Sequence, residues 1–455
     1  MQGLWFLVLV STICLEGLGR RYLPQIPSVA FYFLKDPVLL LGFYLFRPSA
    51  EIRRVSAFLY RGFGVVWIAG LVWTVIEIFN PAQQSFLLAL LGLRAYWLWW
   101  IAPPIIAAAL QNAKQKRRAL YTLLLMSMVI AVLAAIQFAS PPDSSVNLYS
   151  VVDGEAVYAD VATVAATGRA RVSSTFSFLS GFSDFTTLIP TLLLSIGLDA
   201  REPRLRRLAF LATLATAAVL PMSGSRASVL LGAAVLVITA WVSGLFFTRV
   251  GRRILVGSIV AAVLAVVAIP DAFLGIQSRF ADTQETDSRY VMAETILPPV
   301  ALAVNDYPLA GIGTGMEQNA RVSMHITTDW DMEQEPARYL AELGPIGYLL
   351  VWTAKLGLIV ALVRAYGILK RGGRRGAAAA AMSYAFLTMN GNLTFDHIWQ
   401  ALYFIGCGFI LAEVVTVLRE NSALGSSTAA AAAPSPLEAR SAWASPAAGT
   451  MGRST

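Results

Sequence analysis

Long apolar runs separated by short polar connections dominate the chain. An α-helix rises 1.5 Å per residue, so a run of about 20 apolar residues spans the hydrocarbon core of a bilayer. Runs of this kind predict membrane helices over 3–18, 26–46, 57–79, 86–110, 119–138, 176–198, 208–222, 228–247, 254–274, 345–363, 377–389 and 399–418. The implied fold class is an all-α polytopic membrane protein of about twelve transmembrane helices. Nine of them fall in 1–274 and three in 345–418. Two connections are long, 139–175 and 275–344, and the second mixes acidic, aromatic and proline-bounded stretches that predict short helices packed on the bundle. The tail, 419–455, is rich in Ala, Ser, Pro and Gly without apolar periodicity and reads as disordered.

Composition excludes a soluble globular protein, because 57% hydrophobic against 14% charged residues leaves too little polar surface for 455 residues. The net charge of +8 does not point to nucleic acid, since the basic residues sit in short clusters between apolar runs. These clusters are Arg47, Arg53 and Arg54; Lys114 to Arg118; Arg201 to Arg207; Arg249 to Arg253; and Lys370 to Arg375. They mark every second connection, which predicts both termini in the cytoplasm and the two long connections on the periplasmic side of a bacterial inner membrane. The first run lacks a basic n-region and a small-residue cleavage site, so it reads as a retained helix. Cys14 and Cys407 lie in separate apolar runs and predict packing, not a disulfide or metal site.

Candidate chemistry lies where charge enters the membrane, at a cost of about 2.5 to 3.5 kcal/mol for a central Arg or Asp on insertion scales. Arg94 sits about eight residues, or roughly 12 Å, into its helix. Lys35 and Asp36 interrupt the second run; neighbours in sequence point apart on a helix, so each needs its own partner, and interhelix salt bridges are expected. Asp184 lies beside Ser180, Gly181 and Ser183 and either serves substrate or caps a break. The turn Ser223-Gly224-Ser225-Arg226 places an arginine on the face that the basic clusters avoid. Gly and Ser let backbone N–H groups converge while a guanidinium grips phosphate oxygens in bidentate fashion, so the turn suits anion capture; snorkelling of Arg226 to lipid phosphate is the alternative. Arg169 and Arg171 lie just ahead of the 176–198 run, on the same expected face. Two arginine sites on one face suit a diphosphate.

The segment Arg171 to Phe176, the triplet Ser225-Arg226-Ala227, the Pro308-x-x-Gly311-x-Gly313 opening and the ending Glu342-Leu343-Gly344-Pro345-Ile346-Gly347 follow one another in order. In this order and on a common membrane side they resemble the O-antigen ligase and polymerase superfamily of bacterial membrane glycosyltransferases. The resemblance covers about 169–363 by motif and the rest by topology. It implies a GT-C-like architecture and an undecaprenyl-diphosphate-linked glycan as donor. It also implies a glycan or lipid-linked glycan as acceptor, membrane lipids as surroundings, and other polysaccharide assembly proteins as partners. One departure stands out. Ligases of the family carry a His-Asn pair about eleven residues before the Gly of Glu-Leu-Gly, and here that position holds Glu333-Gln334. The chain has only two histidines, His325 and His397.

The implied reaction is an inverting, metal-independent transfer without cofactor, with polymerase preferred over ligase. Glu333 is the expected base, with Glu335 and His325 as alternatives; a solvated acidic loop face is the other reading of that stretch. Arg226 and Arg171 are the expected catalytic cations, and Arg94, Arg169, Arg321, Arg338, Ser223 and Ser225 the expected substrate-binding groups. The Gly311-x-Gly313-x-Gly315 run is not a nucleotide loop, because it lacks the strand and helix of a dinucleotide-binding unit. A transporter or lipid flippase of about twelve spans is the rival class. Its usual repeated halves and short loops contrast with the long 275–344 connection.

Overall fold

A computed structural model describes residues 2–23, 25–152, 155–158, 163, 168–249, 270–271, 274, 309–318, 320–327 and 335–432. The expected span 254–274 is all but outside these residues, and Glu333 and Pro308 fall outside them entirely. The described helices are α1 (Gln2–Cys14), α2 (Glu16–Tyr22), α3 (Ser28–Phe33), α4 (Lys35–Leu45), α5 (Ala50–Leu59), α6 (Gly64–Ile76), α7 (Phe86–Trp97), α8 (Ala102–Ala109), α9 (Ala113–Ala139), α10 (Leu179–Asp199), α11 (Pro203–Val219), α12 (Arg226–Val242), α13 (Ala320–Ser323), α14 (Glu335–Arg371), α15 (Arg375–Asn390) and α16 (His397–Ala432).

Six described stretches are long and apolar enough to cross a membrane, and eight if each of two bent pairs counts as one span. Among the described residues the expected spans are therefore not all present as separate full-length helices. The bends explain much of the difference. α1 and α2 meet at 59°, and α5 meets the Gly64–Phe79 stretch at 89°. The expected 26–46 span divides into the short α3 and α4, breaking at Leu34 just ahead of Lys35-Asp36-Pro37. α12 and α15, at 17 and 16 residues, are short for a span. The protein is also not purely helical: within the 139–175 connection, strands β1 (Leu148–Val152) and β2 (Glu155–Tyr158) form an antiparallel hairpin. The disorder expected from 419 is corrected for 419–432, where α16 runs on to Ala432; the rest of the tail lies outside the described residues. Its ALGSSTAAAA stretch is rich in alanine, the best helix former, and continues a helix already nucleated.

Local signals account for the helix starts. Asn112 and Gln115 form a capping box ahead of α9, and Ser225 caps α12 by accepting from the Ser228 N–H. The bundle is centred on α10 and α16, whose apolar windows are 89% and 83% buried against about half for α9 and α11. Cys14 and Cys407 are both free and buried in this core.

Hydrogen bonding sorts the connections onto two ends of the bundle. Lys116 of α9 pairs with Glu413 of α16 (2.7 Å), Arg117 with Glu202 ahead of α11 (3.0 Å), and Arg374 ahead of α15 with Glu420 (2.8 Å). Three of the basic clusters thus share one end. The starts of α10, α12, α14 and α16 lie at the other.

Candidate functional site

The segment leading into α10 is held in an unusual backbone conformation. Ser174 has φ of 49°, a left-handed value that costs a side-chain-bearing residue energy and persists only where its surroundings impose it. Here its N–H donates to Gln137 Oε1 (2.7 Å), its hydroxyl donates to the Ile130 carbonyl (2.9 Å), and its carbonyl accepts from Arg21 (2.8 Å). Arg21 is buried and also donates to Ser173 Oγ and the Phe176 carbonyl. Gln137 did not stand out in the sequence, and Arg21 did so only as a misplaced charge, with no role attached. The one signal was that Arg20 and Arg21 follow the first apolar run on the side where a basic pair was not expected.

This segment delivers Arg171 to the polar turn. Arg171 Nε donates to the Ser223 carbonyl (3.1 Å), and Val172 N–H donates to the Met222 carbonyl (3.1 Å). Gly224 takes φ of 64°, and a side chain there would press on the Arg171 guanidinium, so glycine answers both conformation and space. Ser223 is fully buried and its hydroxyl accepts from the Ser225 N–H (3.2 Å). Arg226 is the first residue of α12. Arg171 is therefore seated against the turn that holds Ser223, Ser225 and Arg226. Arg169 lies nearby in sequence but pairs with Asp271 at 3.1 Å, partly exposed.

A second pair of segments also meets. The 311–317 loop docks on the end of the first part of α14: Ile312 N–H donates to the Ala341 carbonyl (2.8 Å) and Gly313 N–H to the Glu342 carbonyl (3.1 Å). The fully buried Glu342 carboxylate accepts from the Gly315 and Glu317 N–H groups, each at 2.8 Å. Gly344, with φ of 64°, kinks α14, and any side chain there would collide with the Leu309 carbonyl. The glycine-rich loop and the Glu-Leu-Gly ending are thus one folded unit. Arg321, in the short α13, lies 3.9 Å from Glu317. Arg338 lies over the Phe395 ring at 4.8 Å.

The 392–397 turn joins the two units, and sequence reasoning passed over it. Thr394 donates to Glu335 Oε1 from its N–H (2.7 Å) and its hydroxyl (2.8 Å), while Lys355 holds Glu335 Oε2 at 2.7 Å. Both oxygens of Glu335 are engaged in this buried network, which leaves it poorly placed as a base. The Asp396 side chain caps α16 by accepting from the Ile398 and Trp399 N–H groups and lies against the Asp184 carboxyl. His397 meets Glu16 Oε1 at 3.3 Å; Glu16 in turn accepts from Ser177 Oγ (3.0 Å) and Lys35 Nζ (2.6 Å). His325 is exposed, with φ of 54°.

The expected interhelix salt bridges are present. Lys35 pairs with Glu16, and Asp36 with Arg94. Arg94 also stacks on Tyr32 (4.9 Å) and Phe33 (5.1 Å), and its Nη2 is buried without a hydrogen-bond partner among the described residues. Among the described residues no group of three or more His, Cys, Asp or Glu is placed to hold a metal ion. Comparison of the chain with known protein families and with curated proteins finds no match.

Proposed function

We propose that the chain is a glycosyltransferase of a bacterial inner membrane that polymerises undecaprenyl-diphosphate-linked oligosaccharide repeats at the periplasmic face. Ligation of such a glycan to another acceptor is the second choice, because the position of the ligase histidine holds Glu333. The observation that carries this reading is the seating of Arg171 on the Ser223-Gly224 turn that opens α12 with Arg226. A turn of small residues flanked by two guanidinium-bearing side chains offers convergent donors for a diphosphate. Docking of the 311–317 loop on Glu342 to Gly344 supports it, since the two family-like motifs meet in space.

In the reaction, an acceptor hydroxyl oxygen attacks the anomeric carbon of the donor and the bond from that carbon to the diphosphate oxygen breaks. The hydroxyl proton passes to a base, for which Glu333 is the choice, and the lipid diphosphate departs with its charge stabilised by Arg171 and Arg226. The further donor-binding candidates are Arg94, which is ion-paired with Asp36, Arg321, which faces Glu317, and Arg338.

The test is a glycan-transfer assay on membranes carrying variants. Arg226→Ala should lose at least about 10²-fold in rate at normal membrane expression. Arg226→Lys should recover part of it, keeping charge but losing the bidentate fork. Glu333→Gln should lose about 10²- to 10⁴-fold while still binding the lipid diphosphate. Wild-type transfer by Arg226→Ala would remove the diphosphate role of the turn and with it this function.

A further inference from the structure

A cavity of about 980 Å³ opens at the end of the bundle that carries the basic clusters, between the ends of α9, α10, α15 and α16. It is at the upper end of the usual range for small-molecule sites, about 300 to 1,000 Å³. It lies far from the turn of Arg171 and Arg226: α10 begins near that turn and ends at the cavity 21 residues later, roughly 30 Å at 1.5 Å per residue. The depth of the cavity is apolar, built by Leu120, Leu192, Ile196, Leu205, Phe409 and Ile410.

Its mouth is charged and unevenly so. Six cations and four carboxylates line it, an excess of two positive charges. Every carboxylate is already engaged. Glu413, Glu202 and Glu420 pair with Lys116, Arg117 and Arg374. Asp199 accepts from the Gly376 and Ala377 N–H groups, each at 2.8 Å, at the start of α15. Lys114, Arg118 and Arg201 have no ion pair with any described residue. The wall also contains Ser195, whose buried hydroxyl lacks a hydrogen-bond partner among the described residues.

We propose that this cavity binds an anionic phospholipid, its phosphate at Lys114, Arg118 and Arg201 and an acyl chain along the apolar depth. Unneutralised cations select a net negative headgroup; a zwitterionic lipid brings its own cation, which the excess positive charge repels. A free phosphate satisfies the mouth but leaves the apolar surface wet, forgoing the gain from covering it. Basic pockets between membrane helices are suited to anionic headgroups in this way. Bound there, the lipid ties together four helix ends, three of which belong to helices that reach the motif segments at their other end.

The test uses the full chain, purified and delipidated, with three probes: phosphatidylglycerol, phosphatidylcholine and inorganic phosphate. Phosphatidylglycerol should be retained in native mass spectrometry and raise the melting temperature, whereas the other two should do neither. The triple variant Lys114→Gln, Arg118→Gln, Arg201→Gln should weaken phosphatidylglycerol binding at least tenfold. The pair Arg204→Gln, Arg207→Gln, outside the cavity, should leave it unchanged. Equal binding by the triple variant, or an equal shift with inorganic phosphate, overturns the proposal. Should the triple variant not fold, phosphatidylglycerol with a photoreactive acyl chain is applied to the wild-type protein. Label should concentrate on peptides carrying Ile196 and Phe409; label no greater there than on α12 overturns it equally.

Discussion

The two ends of the bundle carry charge in opposite ways. At the end with the motif segments two ion pairs are buried: the side chains of Lys35 and Glu16 are 0% and 1% exposed, and those of Lys355 and Glu335 2% and 6%, while Arg169 and Asp271 there stay partly exposed. At the basic end no described pair is buried to that depth: Arg117 and Glu202 are 54% and 49% exposed, and Lys116 and Glu413 19% and 25%. A buried charge must be partnered in a fixed geometry because desolvation is expensive, whereas a solvated one needs only to lie on the right side of the membrane. The deepest pairs therefore lie at the end where the motif segments meet, and the most solvated pair, Arg117 with Glu202, at the end where the sign of the charge matters most.

The sharpest way to break this contrast is to unpair a buried charge. Lys355→Met leaves Glu335 buried without its cation and should destabilise the protein by about 3 to 5 kcal/mol. Adding Glu335→Gln should return a large part of that loss, since the orphaned charge goes with it. A thermal melt in detergent reads both; a Lys355→Met protein as stable as wild type would end the claim that this end is held by paired burial.

A smaller effect is expected at Glu342, which holds the glycine-rich loop through two backbone N–H groups. Glu342→Gln keeps an acceptor for one of them and turns an amide donor toward the other, so a loss of about 1 to 3 kcal/mol follows. Limited proteolysis should then cut the 311–317 loop faster than the basic-end connections. Equal cutting rates in wild type and variant would detach Glu342 from the loop's fold.

The smallest effect belongs to the basic end. Arg117→Gln removes a half-exposed pair and should change stability by about 0 to 1 kcal/mol, diminishing further at high salt. A loss as large as that of Lys355→Met would erase the distinction between the ends.

Much of the site was legible residue by residue but not as an arrangement. The polar turn Ser223 to Arg226 stood out because an arginine between apolar runs breaks the charge alternation. Lys35 and Asp36 stood out because charges inside an apolar run need partners. The 392–397 turn gave no such signal: Asn392, Thr394 and Asp396 are ordinary turn and capping residues, and only their contacts with Glu335, Asp184 and the α16 N-terminus give them weight. Arg21 was visible as a misplaced charge, but its hold on Ser173, Ser174 and Phe176 joins residues more than 150 positions apart.

By itself the sequence determined that the chain carries helices apolar enough to cross a membrane, that basic clusters recur between them, and that buried charges would be paired. These follow from composition and from local runs, because the cost of placing polar groups in hydrocarbon acts on each segment separately. Only the tertiary structure decided that several expected spans are bent or broken and that the 311–317 loop folds onto Glu342. It alone decided that Arg171 rests on the turn before Arg226 and that a cavity opens at the basic end. Each of these depends on which helices pack together, and packing is a property of surfaces meeting across long separations, which no single window of residues contains.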